Sequence, residues 1–258
     1  MSTGVEALIA GSSVDLRIYA DLDELSQAAA ELFAQRAQVA FWSQSRFTVA
    51  LAGGSTPRPV YERLATPGFR VAIPWEATHF FWGDERCVPP DHPESNYRMA
   101  MEALVSKVPV PLENIHRMAG EQPPNAAANA YAETLRNIFS LTGTETPRFD
   151  LILLGMGGDG HTASLFPRTE VLHEQTRLVA AHYVEKLATF RLTLTPPVIN
   201  NASLVVFLVA GKGKAETLRQ VLQGPYVPDE LPAQFVRPSN GHLVWMVDEA
   251  AASMLDQA

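Results

Sequence analysis

The sequence predicts a doubly wound α/β domain, a mostly parallel sheet covered by helices on both faces. Short, nearly continuous apolar runs alternate with longer stretches of helical period, the pattern of strands buried on both sides. Several of those runs also end abruptly in glycine-rich turns, where a strand hands over to a helix. No repeat or low-complexity linker divides the chain, so residues 1–258 are read as one domain.

In chain order, Val14–Tyr19 reads as a strand. Residues 22–41 read as a helix, with Leu25, Ala28, Ala29, Leu32 and Phe33 at helical spacing. Phe47–Ala52 is a strand, followed by Gly53-Gly54-Ser55-Thr56-Pro57 and a helix carrying Val60, Tyr61 and Leu64. His79–Trp82 is a short strand, and residues 97–105 and 126–141 are helical. The second half adds strands at 150–154, 177–181, 191–195, 204–210 and 243–247, and helices at 214–222 and 249–255.

Composition sets the class. Apolar residues make up 47% of the chain, enough for a sizeable core. No apolar run approaches the roughly 18 residues of a membrane span. Met1–Gly11 lacks a charged segment leading into an apolar stretch, so no secretory signal is expected. Cys87 is the single cysteine, which excludes internal disulfides and fits a reducing, cytoplasmic setting. The formal charge of −8 argues against a nucleic-acid partner. A small anionic ligand remains compatible if cations are concentrated locally, and two of the four lysines, Lys212 and Lys214, share one glycine-bounded loop.

Four segments each follow an apolar strand directly: Gly53–Thr56, Gly83–Arg86, Gly155–His161 and Gly211–Lys214. Ligands in open α/β sheets bind beyond the carboxyl ends of the strands, so the four are expected to meet in one pocket. Gly155-Met156-Gly157-Gly158-Asp159-Gly160-His161 is the most informative, a sharp turn holding a carboxylate and a base. Its Gly155, Gly157 and Gly160 match the dinucleotide fingerprint, but the next strand-like run ends in His182 where that fingerprint needs an acid. A nucleotide cofactor is therefore not expected.

Gly53–Pro57 has the form of an anion-binding strand-to-helix turn, with Ser55 or Thr56 as N-cap and Pro57 in the first turn. Asp84-Glu85-Arg86 brings charge straight out of the core; Arg86 offers a fork for oxyanions, and Asp84 can accept a proton or a hydroxyl. Ser95 reads as a helix cap, with Asn96 and Tyr97 beside the site, and Cys87 as a small buried residue. Lys214 at a helix entry opposes the dipole unless it meets an anion, and Arg191 within a strand needs a pocket or a carboxylate. The seven histidines show no metal-ligand spacing, so no metal is expected.

These blocks resemble the 6-phosphogluconolactonases: Ala52–Pro57, Trp82–Arg86 through Ser95–Arg98, and above all Gly155–Pro167, with Arg191–Leu194 and Gly211–Lys214 also fitting. The resemblance implies a cytosolic enzyme of the oxidative pentose phosphate pathway. Such an enzyme hydrolyses 6-phospho-D-glucono-1,5-lactone to 6-phosphogluconate without a cofactor, on the fold shared with glucosamine-6-phosphate deaminases. Those deaminases tend to carry Asn-Glu-Pro where this chain has Ser164–Pro167, and an aromatic residue in place of Arg86. On the residues themselves, His161 is the general base, with Asp159 orienting it. The glycine turn and Arg86 are the oxyanion donors, and Asp84 is a further candidate. Gly53, Gly54, Ser55, Thr56 and Lys214 are expected at the phosphate, with Arg191 or Arg86 as the further cation there. A deaminase, an isomerase and a non-catalytic sugar-phosphate sensor are the rival readings.

Overall fold

The computed structural model describes residues 4–9 and 12–256, so the expectation about Met1–Gly11 falls partly outside the described residues. Its elements in chain order begin with β1 (Gly4–Ile9), β2 (Ser12–Tyr19), α1 (Leu22–Gln44), β3 (Phe47–Leu51), α2 (Pro57–Leu64) and α3 (Pro67–Ala72). Next come β4 (Thr78–Trp82), β5 (Asp84–Arg86), α4 (Asn96–Ala103), α5 (Pro124–Phe139) and β6 (Leu151–Gly155). The chain continues with β7 (Val179–Val184), β8 (Thr189–Leu194), α6 (Pro196–Asn200), β9 (Leu204–Val209), α7 (Ala215–Gln223), β10 (His242–Asp248) and α8 (Glu249–Ala252).

Seven strands form the main sheet in the order β1-β2-β10-β9-β6-β3-β4, parallel except for β1 at one edge. Alternate residues of the central strands enter two separate cores. Ile152, Leu154, Val205 and Phe207 face α5 and α7, whereas Leu151, Leu153, Val206 and Leu208 face α1, α2 and α4. Burial on both faces is why these strands read as unbroken apolar runs. Chain direction across the sheet reverses between β3 and β6: β3 leads outward to β4, and β6 leads the other way through β9 to β10. That switch point opens a crevice at the strand ends, just where Gly53 and Gly155 lie.

One expectation needs correction. The runs at 177–181 and 191–195 do not join the main sheet; β7 and β8 form an antiparallel hairpin, and β5 pairs with β8 in a separate three-stranded sheet. The physical reason is the short Glu185–Ala188 connection, since parallel neighbours need a crossover of a dozen or more residues. The strand β1 and the short helices α3 and α6 were not foreseen either, and the last helix stops at Ala252 rather than residue 255. Among the described residues, no helix is long and apolar enough to cross a membrane.

Candidate active site

A cleft of about 210 Å3 opens at the switch point, and segments of all four glycine-rich turns line it. Gly53–Thr56 come from the end of β3, Asp84 and Arg86 from β5, Gly155–Gly157 and His161 from the turn after β6, and Lys214 from the turn after β9. A second cavity of about 510 Å3 shares Asp84, Arg86 and His161 with the first and adds Asp159, Lys186 and Arg191. Arg191 lines this second cavity and not the first, whereas Gly53–Thr56 and Lys214 line only the first.

The turn after β6 is held from every side. Gly157 N–H donates to the His161 carbonyl at 2.8 Å, and Gly160 N–H to the Gly157 carbonyl at 3.1 Å. The Thr162 hydroxyl donates to the Gly155 carbonyl at 2.8 Å, and that of Thr217 on α7 to the Gly158 carbonyl at 2.7 Å. Gly157 must be glycine here, because a Cβ would lie 2.1 Å from His161 Nδ1. Ala163 sits at φ +46°, a left-handed conformation that L residues rarely adopt and that clusters at functional sites.

This frame presents a catalytic-type pair. His161 Nδ1 lies 2.5 Å from Asp159 Oδ1, and Lys186 Nζ donates to the other oxygen, Oδ2, at 2.7 Å. The His161 hydrogen bond, helped by Lys186, holds the Asp159 carboxyl well below the usual carboxylate range against the opposing effect of burial. An ionised Asp159 accepts from Nδ1–H and leaves the basic lone pair on Nε2. The imidazole stacks on Phe166 with ring centroids 4.3 Å apart, so its plane is fixed as well as its tautomer.

Asp84 is fixed just as closely. The Ser164 hydroxyl donates to Oδ2 at 2.7 Å, and the Asn96 amide donates to Oδ1 at 3.1 Å. Its neighbour Glu85 is buried and accepts from the backbone N–H groups of Arg86, Asn96 and Tyr97 and from the Ser95 hydroxyl. Burial pushes the Glu85 carboxyl up, against the lowering effect of those three N–H groups. Glu85 thus ties β5 to the start of α4, where Ser95 is the expected cap and accepts from Arg98 N–H at 3.1 Å.

Arg86 and Arg191 are direct cross-strand partners. Like charges opposite one another destabilise a sheet, so this pair favours an anion nearby. Burial, followed by the charge of Arg86, lowers the Arg191 pKa. At the β3 turn, Gly54 adopts φ +101° with open space where a Cβ would project. Thr56 is the N-cap residue just before α2 but makes no side-chain capping bond, contrary to the expected role for Ser55 or Thr56. Thr56 has already entered helical geometry, at φ −73° and ψ −43°, whereas a capping hydroxyl reaches the helix N–H groups from extended backbone. Cys87 is half-buried, more open than expected. Among the described residues no cluster of three or more metal-ligating side chains occurs.

Three contributors were missed or underweighted in the sequence. Lys186 and Ser164 reach their partners across 27 and 80 residues of chain, and nothing local marks them. Asn96 had a local signal in the Ser95-Asn96-Tyr97 helix entry, but its bond to Asp84 appears only in three dimensions.

The family described as glucosamine-6-phosphate isomerases/6-phosphogluconolactonase matches residues 20–245. The chain belongs to that family of sugar-phosphate enzymes. A 6-phosphogluconolactonase of a Nostoc species is 43% identical over 227 residues, covering 87% of this chain and 91% of that protein. The crystal structure of the Thermotoga maritima 6-phosphogluconolactonase superposes with a TM-score of 0.77 at 34% identity, over 90% of this chain and 98% of that one. A monomeric glucosamine-6-phosphate deaminase, at 21% identity and a TM-score of 0.76 over 93% and 99% of the two chains, shares the fold.

Proposed function

We propose that this protein is a 6-phosphogluconolactonase, hydrolysing 6-phospho-D-glucono-1,5-lactone to 6-phospho-D-gluconate in the oxidative pentose phosphate pathway. The carrying observation is one cleft lined by His161, the Gly53–Thr56 turn and Lys214, with Asp159 bonded to the imidazole from outside that cleft. A lactone ester and a phosphate on the same small molecule call for that combination.

The phosphate lies against Gly53, Gly54, Ser55 and Thr56 with Lys214 as counter-charge; Pro57 and Pro59 at the start of α2 have no N–H, so the donors are the backbone N–H groups of the turn itself. His161 Nε2 takes a proton from water as the water oxygen bonds to the lactone carbonyl carbon. Arg86 and the backbone of the glycine turn meet the oxyanion of the tetrahedral intermediate. The intermediate collapses by breaking the bond from carbon to ring oxygen, and His161 returns its proton to that oxygen as it leaves. The new carboxylic acid then ionises, releasing one proton to solvent. Asp159 stays ionised and orients the ring, and Asp84, fixed by Ser164 and Asn96, is an acceptor for a sugar hydroxyl. Arg191 is placed to add positive charge from the second cavity.

This chemistry draws on no cofactor or metal. The chain acts as a single domain over residues 1–258, in the cytoplasm, on a small sugar-phosphate lactone rather than on nucleic acid or a membrane. Lactone made in situ, with acid release followed above the spontaneous rate, tests the reading. Ammonia release from glucosamine 6-phosphate without lactone hydrolysis would replace it with the deaminase reading.

A further inference from the structure

We infer that Lys186, at the tip of the β7–β8 hairpin, is a positioning residue that holds Asp159 against His161 and sets the pH range in which the imidazole works. This rests on His161 acting as the base. The hairpin brings Lys186 across a 3-10 turn, Glu185–Leu187, closed by Ala188 in the left-handed conformation at φ +49°. Its ammonium lies 2.7 Å from Asp159 Oδ2, while His161 Nδ1 occupies Oδ1. The carboxylate is thus gripped at both oxygens, one by the base and one by a separate element of the fold.

The lysine side chain is 67% exposed. A pair so open to solvent adds little to folding, which directs attention to what it does for the carboxylate. Asp159 and Lys186 also stand between the second cavity, which His161 shares with the first cleft, and a larger open groove under β7, and both line each of those two spaces. Without Lys186, Asp159 keeps a single side-chain tether, and water from the groove competes for Oδ2.

The charge has a definite sign of effect. Groups facing His161 are Asp159 on its own turn, Lys186 from the β7–β8 tip, Asp84 and Arg86 from β5, Arg191 from β8 and Lys214 from the turn after β9. Lys186 opposes a second positive charge on the imidazole and shares the Asp159 carboxylate with it. Removing the ammonium favours imidazolium, so the base form is reached only at higher pH.

The test is the pH profile of kcat in Lys186→Met and Lys186→Arg, with folding checked by circular dichroism. In Lys186→Met the acid side of the profile moves to higher pH by roughly half a unit or more. Its plateau kcat falls several-fold while KM for the phosphorylated lactone changes little. Lys186→Arg keeps the wild-type profile. An acid side that stays in place in Lys186→Met, although His161→Gln abolishes it, overturns the role of Lys186 alone. A wild-type profile with no acid side overturns the base reading of His161 and this inference with it. A rise in KM with an unmoved profile assigns Lys186 to holding the hairpin and also overturns the inference.

Discussion

The side-chain amide of Asn96 occupies the space where residue 53 would carry a Cβ: such an atom would lie 1.8 Å from Asn96 Oδ1. The same amide donates to Asp84 through Nδ2, at 3.0 Å to its carbonyl and 3.1 Å to its carboxylate. The glycine at the end of β3 and the carboxylate at β5 are therefore coupled through one buried asparagine.

Gly53→Ala is expected to push Asn96 out of its seat and loosen Asp84, lowering kcat/KM by about tenfold or more with a measurable loss of stability. Asn96→Ala removes the obstruction as well as the tether. The double variant should consequently lose less than the sum of the two single losses. Strict additivity in a double-mutant cycle would show that the two positions act independently.

Lys214→Ala tests the anchor. A hydrogen bond to a charged group is worth about 1.5–3 kcal/mol, so kcat/KM should fall by roughly one to two orders of magnitude. The loss should appear mainly in KM if the phosphate is held equally in ground and transition states. Steady-state kinetics with an unchanged KM would remove Lys214 from the anchor and leave the Gly53–Thr56 backbone to hold the phosphate with Arg86.

The glycine turns were legible in the sequence because glycine after an apolar run has few other uses, and the switch-point rule then brought four distant segments together. The second sheet was not legible. Val179–Ala181 and Leu192–Leu194 are apolar enough to pass for central strands, and an apolar run carries no mark of parallel or antiparallel pairing. Contacts such as Ser164 to Asp84 were hidden for a different reason. Each residue alone has a plain local reading, and the pairing depends on β5 leaving the main sheet to join β8. Arg191 shows both effects at once: its oddity within a strand was visible, but the hairpin that turns it into the second cavity was not.

Acid should destabilise the fold through a histidine pair remote from the catalytic turn. His79 Nδ1 and His116 Nε2 are 3.1 Å apart, and His116 stacks on Phe81. Burial, aided by the charge of His79, lowers the His116 pKa to about 4. The unfolded chain takes up this proton near the ordinary histidine value of about 6.5, and the folded chain resists it. The stabilisation is therefore complete above about pH 6.5, shrinks as pH falls towards 4 and is absent below that. Allowing for solvent screening of a half-buried group, the loss is about 1–2 kcal/mol. Urea titrations of wild type and His116→Gln between pH 7 and 4 should converge by that amount. Parallel pH dependence would assign the acid sensitivity elsewhere.

His161→Gln addresses the base itself. Glutamine keeps much of the size and hydrogen-bonding capacity of the imidazole but takes no proton near neutrality, so kcat should fall by roughly 10²–10⁴ while the fold and much of the ligand affinity persist. In the wild type, kcat should decline as the medium is acidified from neutrality, because an imidazolium has no lone pair with which to take the proton from water. Asp159 does not produce that decline, because His161 and Lys186 hold its carboxyl far below the usual carboxylate range and it stays ionised throughout. The acid side of the profile should accordingly vanish in His161→Gln. If the histidine served only to hold the glycine turn, as its backbone carbonyl does for Gly157 N–H, the variant would lose binding and stability together. Near-normal turnover in a well-folded His161→Gln protein, measured above spontaneous lactone opening, would end its candidacy as base. Asp84, on β5 and bonded to Ser164 and Asn96, would be the next residue to test.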